Sequence, residues 1–394
     1  MTTVSPTTSS NPSPARRFDL DWLRIAAFGL LILYHAGMAF VTWDWHIKLA
    51  RLEWLEPVML FTNAWRLMLL FLIAGIASSA MLRKGEVGFL ASRSWRLLLP
   101  LLTGVVLVVP PQSWVELQDK GVWSGSFYAF WSQAYFRFKG DLGVILPTWN
   151  HLWFVVYLWV YTCLLAFVGN KGRAWLTGAI DRALSGGRFV WLPMLAIAVI
   201  RITLADRFPE RHDLVSDWCL HWLYGGAFLV GAAMGTAGTL WDEVRLYWRT
   251  ALALGVAGWA VAAAINGLPG TPEGIDLAVS RLARAIQAWG MIVGLLGAGQ
   301  RWLSFDHPWR EPLAGAVFPA YLIHQTIIVL MAFWLKPLAI SLAAKAALLL
   351  AATALGTALF CAATAAFALL RPWVGHGPAR QRLRQHAGAE SPAA

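Results

Sequence analysis

The chain has 394 residues, of which 58% are hydrophobic and 13% charged, with 24 tryptophans and a mean hydropathy of +0.56. This composition excludes an ordinary soluble domain and indicates a polytopic membrane protein. The formal net charge of +11 does not indicate a nucleic-acid binder, because the basic residues recur in short connectors between apolar segments. Cys163, Cys219 and Cys361 are isolated, so the sequence predicts neither a disulfide framework nor a metal site.

The apolar segments predict an all-α protein with about ten transmembrane helices, each of roughly 20 residues. Residues 1–17 are rich in Ser, Thr and Pro and are predicted to be a disordered cytoplasmic tail, whereas residues 373–394 are predicted to be a basic cytoplasmic tail. Residues 18–372 form the transmembrane domain between them. The predicted spans are residues 20–41, 59–81, 93–109, 151–169, 189–205, 218–241, 250–266, 284–299, 313–335 and 341–370.

The distribution of basic residues predicts the orientation. Ten spans place both termini on one side, and Lys and Arg are concentrated in the termini and in alternate loops, for example at Arg83 and Lys84 and at residues 171–188. Basic loops of this kind stay in the cytoplasm. The longest connector, residues 110–150, is rich in Trp, Phe and Tyr, and we expect it to lie at the outer interface as short amphipathic pieces.

The first span carries two residues that lipid disfavours, Arg24 and His35. Eleven positions on a helix return to within roughly 20° of the starting direction and rise about 16 Å, so the two side chains share one face at different depths. A charge at mid-bilayer costs on the order of 2.5 to 3.5 kcal/mol. This face is therefore predicted to line a reaction path within the protein.

Other polar residues fall in the middle and outer half of the predicted spans. His324 and Arg201 are deep, and six more residues lie near the outer ends: Asn63, Arg66, His151, His221, Arg284 and Gln287. Snorkelling is the favoured interpretation for Arg66, Arg284 and His221. His35 and His324 are too deep to snorkel, and a histidine suits general-base chemistry near neutral pH.

Arg93 and Arg96 form a second basic pair near the cytoplasmic start of the third span. Residues at i and i+3 lie on one helix face, and guanidinium groups suit phosphate oxygens. Ordinary cytoplasmic anchoring is the alternative for this pair on residue types alone. The spans contain no serine in an elbow motif and no paired carboxylates, which disfavours hydrolase and glycosidase functions.

Four motifs taken together resemble the acyltransferase 3 family of integral membrane acyltransferases. They are LDWLRIAAFGLLILYH, RSWR, NHLWF and PAYLIHQ, in this order along the chain. With DWHIK at residues 44–48, the sequence is most similar to the glucan biosynthesis protein C branch of periplasmic-glucan succinyltransferases. The resemblance implies an acyltransferase for groups other than aminoacyl groups, in a bacterial inner membrane. It implies a cytoplasmic acyl-coenzyme A donor, such as succinyl-CoA or acetyl-CoA, and an extracytoplasmic carbohydrate acceptor.

The same resemblance implies roles for individual residues. Arg24 and His35 match the family's Arg-x10-His pair, which implies that both are catalytic residues and that Arg24 also binds the donor along its route. Arg93 and Arg96 match its R-x-x-R pair, implicated in donor binding. The residues expected to contact the acceptor are His151, Trp153, His324, Tyr321, Arg201 and His46.

Two functions from other classes stay open at this point. In a secondary transporter, the intramembrane His and Arg residues would be a proton relay or an anion site, although the chain lacks a visible repeat and has few intramembrane carboxylates. In an export subunit for an anionic or carbohydrate substrate, they would be dispensable. The sequence leaves open whether His35 becomes transiently acylated, and it leaves open the oligomeric state, a homodimer included.

Overall fold

The structure is a computed structural model that describes residues 17–376 except residues 84, 86, 87, 139, 141 and 269. Both predicted tails lie outside the described residues, apart from residue 17 and residues 373–376, and so does Lys84 in the predicted basic loop. The described part of the chain is all-α, as predicted: the protein is 75% helical, and none of the described residues is in a strand.

Each predicted span is helical over most of its length. In chain order, the first five helices are α1 (Phe18–Met38), α2 (Glu53–Arg83, interrupted at residues 64–65), α3 (Phe89–Asp119), α4 (Asn150–Phe167) and α5 (Arg188–Leu204). The other five are α6 (Trp218–Met234), α7 (Thr239–Asn266), α8 (Gly274–Trp302), α9 (Arg310–Leu335) and α10 (Leu342–Ala366). Shorter helices, Phe127–Gln133 and Gly169–Leu184, lie in the connectors.

Most of these helices can cross a membrane. Counting only described residues, eight are long and apolar enough, and a ninth is gained if Gly169–Leu184 and Arg188–Leu204, which meet at 99°, form one span. Helix α6 is apolar but has 17 residues, slightly fewer than the roughly 20 that a bilayer core requires. The chain is therefore a multi-pass membrane protein.

The helix ends differ from the predicted ends in several places, among them the start of α8, which lies at Gly274, ten residues before the predicted start. Helix α3 was predicted to end at Val109, but a wide turn over Gly104–Val108 carries it past Pro110 to Asp119. Pro110 fits because it begins a new helical segment, where its missing N–H is not needed. The span predicted at residues 218–241 ends at Met234, and α7 begins eleven residues earlier than predicted, at Thr239. The spans were predicted from apolar composition alone, so the more polar helical turns that extend these helices beyond the hydrocarbon region were not predicted.

Glycines allow two helix pairs to pack at close range. A Cβ atom added to Gly75 of α2 would lie 2.0 Å from the carbonyl oxygen of Phe228 in α6, and one added to Gly290 of α8 would lie 2.6 Å from that of Ala251 in α7. Small residues let helix backbones approach in this way within membranes. Helix α1 packs against α2, α8 and α9.

Candidate active site

The two unusual residues of α1 both face α9. Arg24 Nη2 donates a hydrogen bond to the carbonyl oxygen of Ala314 at 3.2 Å, and the ring of His35 meets the ring of His324. Since Ala314 and His324 are ten residues apart on α9, the contacts of Arg24 and His35 run along one face of α1. The shared face predicted from the eleven-residue spacing is confirmed.

His35 and His324 form a hydrogen-bonded pair with a defined direction. His35 Nδ1 lies 2.8 Å from His324 Nε2, and the rings stack at 5.1 Å with 15° between their planes. On the far side, His324 Nδ1 lies 2.7 Å from the carbonyl oxygen of Tyr321, which can only accept. His324 Nδ1 therefore carries a hydrogen, and in the neutral ring Nε2 accepts from His35 Nδ1. His35 Nε2 is left as an unprotonated nitrogen.

This arrangement gives His35 the form that a general base needs. A second ring nitrogen held as a donor fixes the tautomer and orientation of an imidazole, so the lone pair of the other nitrogen has a defined direction. The partner that performs this here is His324, which is fully buried. Its ring contacts His35 and the backbone of α9, and it does not line the adjoining cavity, where sequence reasoning expected it to contact the acceptor.

His151 packs beside this pair from α4. Its Nε2 lies 3.2 and 3.1 Å from the carbonyl oxygens of Tyr321 and Leu322, so Nε2 carries the hydrogen. Its Nδ1 is buried and has no hydrogen-bond partner among the described residues. The Tyr321 hydroxyl in turn donates to the carbonyl oxygen of His151. The NHLWF and PAYLIHQ motifs are thus joined through each other's backbone.

A cavity of ≈ 150 Å³ adjoins these groups, and we call it the His35 cavity. Among the residues predicted to contact the acceptor, His151, Trp153, Tyr321 and Arg201 line it. His46 does not line it. The ring of His46 instead bonds the Glu116 carboxylate and Gln325 Nε2.

Several residues that line the His35 cavity were not assigned to the site from the sequence, although Asn63 and Arg66 were named there as polar residues within the spans. They are Leu31, Tyr34, Asn63, Arg66, Leu67, Phe154, Glu210, His212 and Tyr224. Arg66 was expected to snorkel, but it is 2% exposed and stacks on Tyr34, with its guanidinium carbon 4.2 Å from the ring centroid. The sequence signal for Arg66 is a charged residue within a predicted apolar span.

Glu210 and His212 reach the cavity from the loop between α5 and α6. The buried carboxylate of Asp217 holds this loop, because it accepts hydrogen bonds from the backbone N–H groups of Arg211 and His212 and from the Tyr157 hydroxyl. The ring of His212 then stacks on Trp153 at 4.2 Å. Burial lowers the pKa of His212, which favours the neutral form of its ring.

A second, larger cavity of ≈ 930 Å³ lies around the start of α1, and we call it the Arg24 cavity. Arg17, Arg24 and Arg83 line it together with apolar residues of α2. Arg93 and Arg96 do not line it, although the charges of both Arg24 and Arg96 act on Arg93. Arg93 Nε is buried and has no hydrogen-bond partner in the described part of the chain. The structure thus brings the three predicted donor-binding arginines to one end of the bundle.

An apolar band separates the two cavities. On α1 it consists of Ala27, Phe28 and Leu31, which lie between Arg24 and His35 and are all buried. Phe28 packs edge-on against Phe154 at 6.4 Å, and Phe154 contacts Phe71 at 4.5 Å. The cavities are therefore distinct, and a molecule that reaches from Arg24 to His35 has to part this band.

The fold and site are those of a multi-pass membrane protein with a buried histidine pair between two arginine-bearing cavities. The family model for the acyltransferase 3 family, described as an acyltransferase domain, matches residues 17–370. This range includes all four motifs and the residues that line both cavities. The chain belongs to this family, and it is a membrane acyltransferase. Searches among curated proteins and among solved structures found no match.

Proposed function

We propose that this acyltransferase moves a succinyl or acetyl group from cytoplasmic acyl-coenzyme A to a hydroxyl of an extracytoplasmic carbohydrate, such as a periplasmic glucan. We further propose that the protein lies in a bacterial inner membrane with both termini in the cytoplasm, and that the groups it transfers are not aminoacyl groups. The observation that carries it is the directed pair of His35 and His324 at the edge of a cavity, at the end of α1 opposite Arg24. The family match favours acyl transfer over the transporter and the export subunit.

The donor is proposed to bind at the Arg24 end of the bundle. Coenzyme A carries several phosphate oxygens, and Arg93 and Arg96 present guanidinium groups from one face of α3. Arg93 has an unused buried Nε, and the charge of Arg24 adds to the local positive potential. The acyl thioester would extend from there past Arg24 and through the apolar band.

The chemical step is proposed to occur at His35. His35 Nε2 takes the proton of the acceptor hydroxyl while the hydroxyl oxygen attacks the thioester carbonyl carbon. The carbon–sulfur bond breaks, and the coenzyme A thiolate takes the proton from His35. During this step His35 Nδ1–H stays bonded to His324 Nε2, which stabilises the imidazolium.

A two-step route uses the same atoms. His35 Nε2 would attack the thioester first, and the acyl group would then pass from the imidazole to the hydroxyl. Covalent mass on His35 after rapid quenching without acceptor supports this route, and its absence under turnover conditions supports direct transfer.

The test is consumption of acyl-CoA by the purified protein in the presence of a glucan acceptor, with the acylated product identified by mass spectrometry. The His35→Ala variant is expected to lose the roughly 100- to 10,000-fold that a general base contributes, with donor affinity retained. His307→Ala, which changes an exposed histidine, is the matched control. Wild-type turnover in His35→Ala, or substrate uptake into proteoliposomes without acyl transfer, would overturn the proposal.

A further inference from the structure

The His35 cavity has an excess of positive charge that the chain does not neutralise. Arg66 and Arg201 line it, and Arg284 lies directly behind Asn63, whose side-chain oxygen accepts a hydrogen bond from Arg284 Nη2. All three guanidinium groups have a buried Nε without a hydrogen-bond partner among the described residues. Three helices, α2, α5 and α8, therefore direct cations toward one small cavity.

Within the described part of the chain, none of these three arginines has a carboxylate partner. The ion pairs found among residues 17–376, within their described part, do not include Arg66, Arg201 or Arg284. Arg66 donates only to the neutral Thr62 hydroxyl, at 2.9 Å. Buried charges in proteins are normally paired, because desolvation costs several kcal/mol per ion. A bound anion would provide the missing partner.

Glu210 is the acidic residue that lines the cavity, and it does not cancel this charge. It belongs to the exposed loop between α5 and α6, and no ion pair of the described residues includes it. Its charge and that of Arg201 both act on Arg284, with opposite sign. One exposed carboxylate facing three arginines leaves the cavity with net positive charge.

We propose that Arg66, Arg201 and Arg284 form a carboxylate subsite in the His35 cavity. The inference rests on the proposed function, since it assumes that a substrate group is bound beside His35. The carboxylate has two possible sources: the far end of a dicarboxylic acyl group, or an acidic sugar of the acceptor. At ≈ 150 Å³ the cavity holds about five water molecules, which is the size of a short acyl chain or one small substituent.

The first test measures binding without turnover. Sodium succinate is expected to raise the unfolding temperature of the purified wild-type protein, whereas succinamide, which is similar in shape but neutral, is expected to have no such effect. The shift should disappear in Arg201→Gln and be partly retained in Arg201→Lys, which keeps the charge but not the planar donors. Arg211→Gln removes the same charge from an exposed loop residue that does not line the cavity, and it should retain the full shift.

The second test identifies the source through turnover. Loss of about 10- to 100-fold in kcat/KM with succinyl-CoA, against a much smaller loss with acetyl-CoA, assigns the carboxylate to the acyl group. A loss confined to acidic acceptors, with either donor, assigns it to the acceptor. An equal loss with every substrate, or a succinate shift that is unchanged in Arg201→Gln, overturns the subsite. Failure of the wild type to transfer any acyl group overturns the proposed function instead, and the succinate shift still decides the subsite.

Discussion

The two cavities at opposite ends of α1 differ in size and in polarity. The Arg24 cavity measures ≈ 930 Å³ and combines arginines with a broad apolar wall, whereas the His35 cavity measures ≈ 150 Å³ and is lined largely by polar and aromatic side chains. A large cavity with basic residues suits a long, flexible, phosphorylated molecule. A small cavity with fixed hydrogen-bonding groups suits the reacting atoms alone. The difference supports the proposal that donor binding and chemistry occur at opposite ends of α1.

The largest expected effect comes from removing the partner of His35. His324→Ala should lower kcat by about 100-fold, toward the lower end of what a general base supplies, because His35 Nε2 loses its fixed direction. The KM for the donor should change little, since the donor is proposed to bind at the other end of α1. His324→Gln should recover part of the loss, because its side-chain carbonyl can accept from His35 Nδ1–H. Initial rates over a range of donor concentrations measure kcat and the KM for the donor separately.

The control for this experiment is His376→Ala, since His376 bonds Thr364 of α10 and lies away from the cavity. A variant that kept wild-type kcat, or equal activity in His324→Ala and His324→Gln, would contradict the directed pair.

The next effect should appear at the Arg24 end. The double change Arg93→Gln and Arg96→Gln should raise the KM for acyl-CoA by about 10-fold or more, with kcat at saturating donor nearly unchanged, because charge-assisted hydrogen bonds to phosphate are lost. Increasing salt should weaken donor binding in the wild type more than in the variant. Initial rates over a range of acyl-CoA concentrations measure the KM and kcat. Isothermal titration with coenzyme A at several salt concentrations measures the change in donor affinity.

Arg245→Gln is the control for the arginine pair, because Arg245 is an exposed residue paired with Asp242 on α7. A fall in kcat with an unchanged KM would contradict a role limited to donor binding.

A smaller effect is expected from the band between the cavities. Phe28→Ala should reduce the free energy of unfolding by about 3 kcal/mol, because Phe28 is 9% exposed and packs against Phe154 and Tyr321. It should also raise acyl-CoA hydrolysis without acceptor several-fold, since water gains a route between the cavities. Thermal unfolding and thiol release measure the two results.

Leu33→Ala removes a side chain of α1 that is 55% exposed, and it should leave both quantities close to wild type. If Phe28→Ala were destabilised without faster hydrolysis, Phe28 would be a packing residue only.

The spacing of residues within one helix was predictable from the sequence, whereas the pairing of residues on different helices was not. The spacing of Arg24 and His35, and that of Arg93 and Arg96, follows from the geometry of a single helix. The bond between His35 and His324 joins residues 289 positions apart, so it depends on which helices are neighbours. Periodicity within one span carries no such information.

Contacts between elements also explain two further differences between the sequence predictions and the structure. Arg66 is a typical snorkelling residue by its position near a helix end, and only packing against Tyr34 buries it. Glu210 and His212 belong to a loop that Asp217 folds back onto the bundle, through bonds to backbone groups that have no sequence signature. Local geometry was predictable, whereas contacts between elements were not.

The smallest expected effect is a pH dependence of stability that arises from Lys48, in the loop that follows α1 beyond His35. Its Nζ donates to the carbonyl oxygen of Met38 at 2.6 Å, and burial lowers the pKa of Lys48 to about 8. Because the unfolded chain holds this proton up to a higher pH than the folded chain, unfolding takes up protons between pH 8 and the unperturbed lysine pKa of about 10.4. The contribution of Lys48 to stability should therefore increase as the pH rises through this window.

The measurement is the unfolding temperature of the wild type and of Lys48→Met between pH 7 and pH 10, in steps fine enough to follow the difference between the two curves. The wild type should gain stability relative to Lys48→Met as the pH increases above 8. Lys345→Met, which changes a lysine of α10 that also donates to a backbone carbonyl oxygen, is the control and should show no such gain. Parallel curves for the wild type and Lys48→Met would mean that the Lys48 ammonium group is solvated in the folded protein and that burial does not lower its pKa.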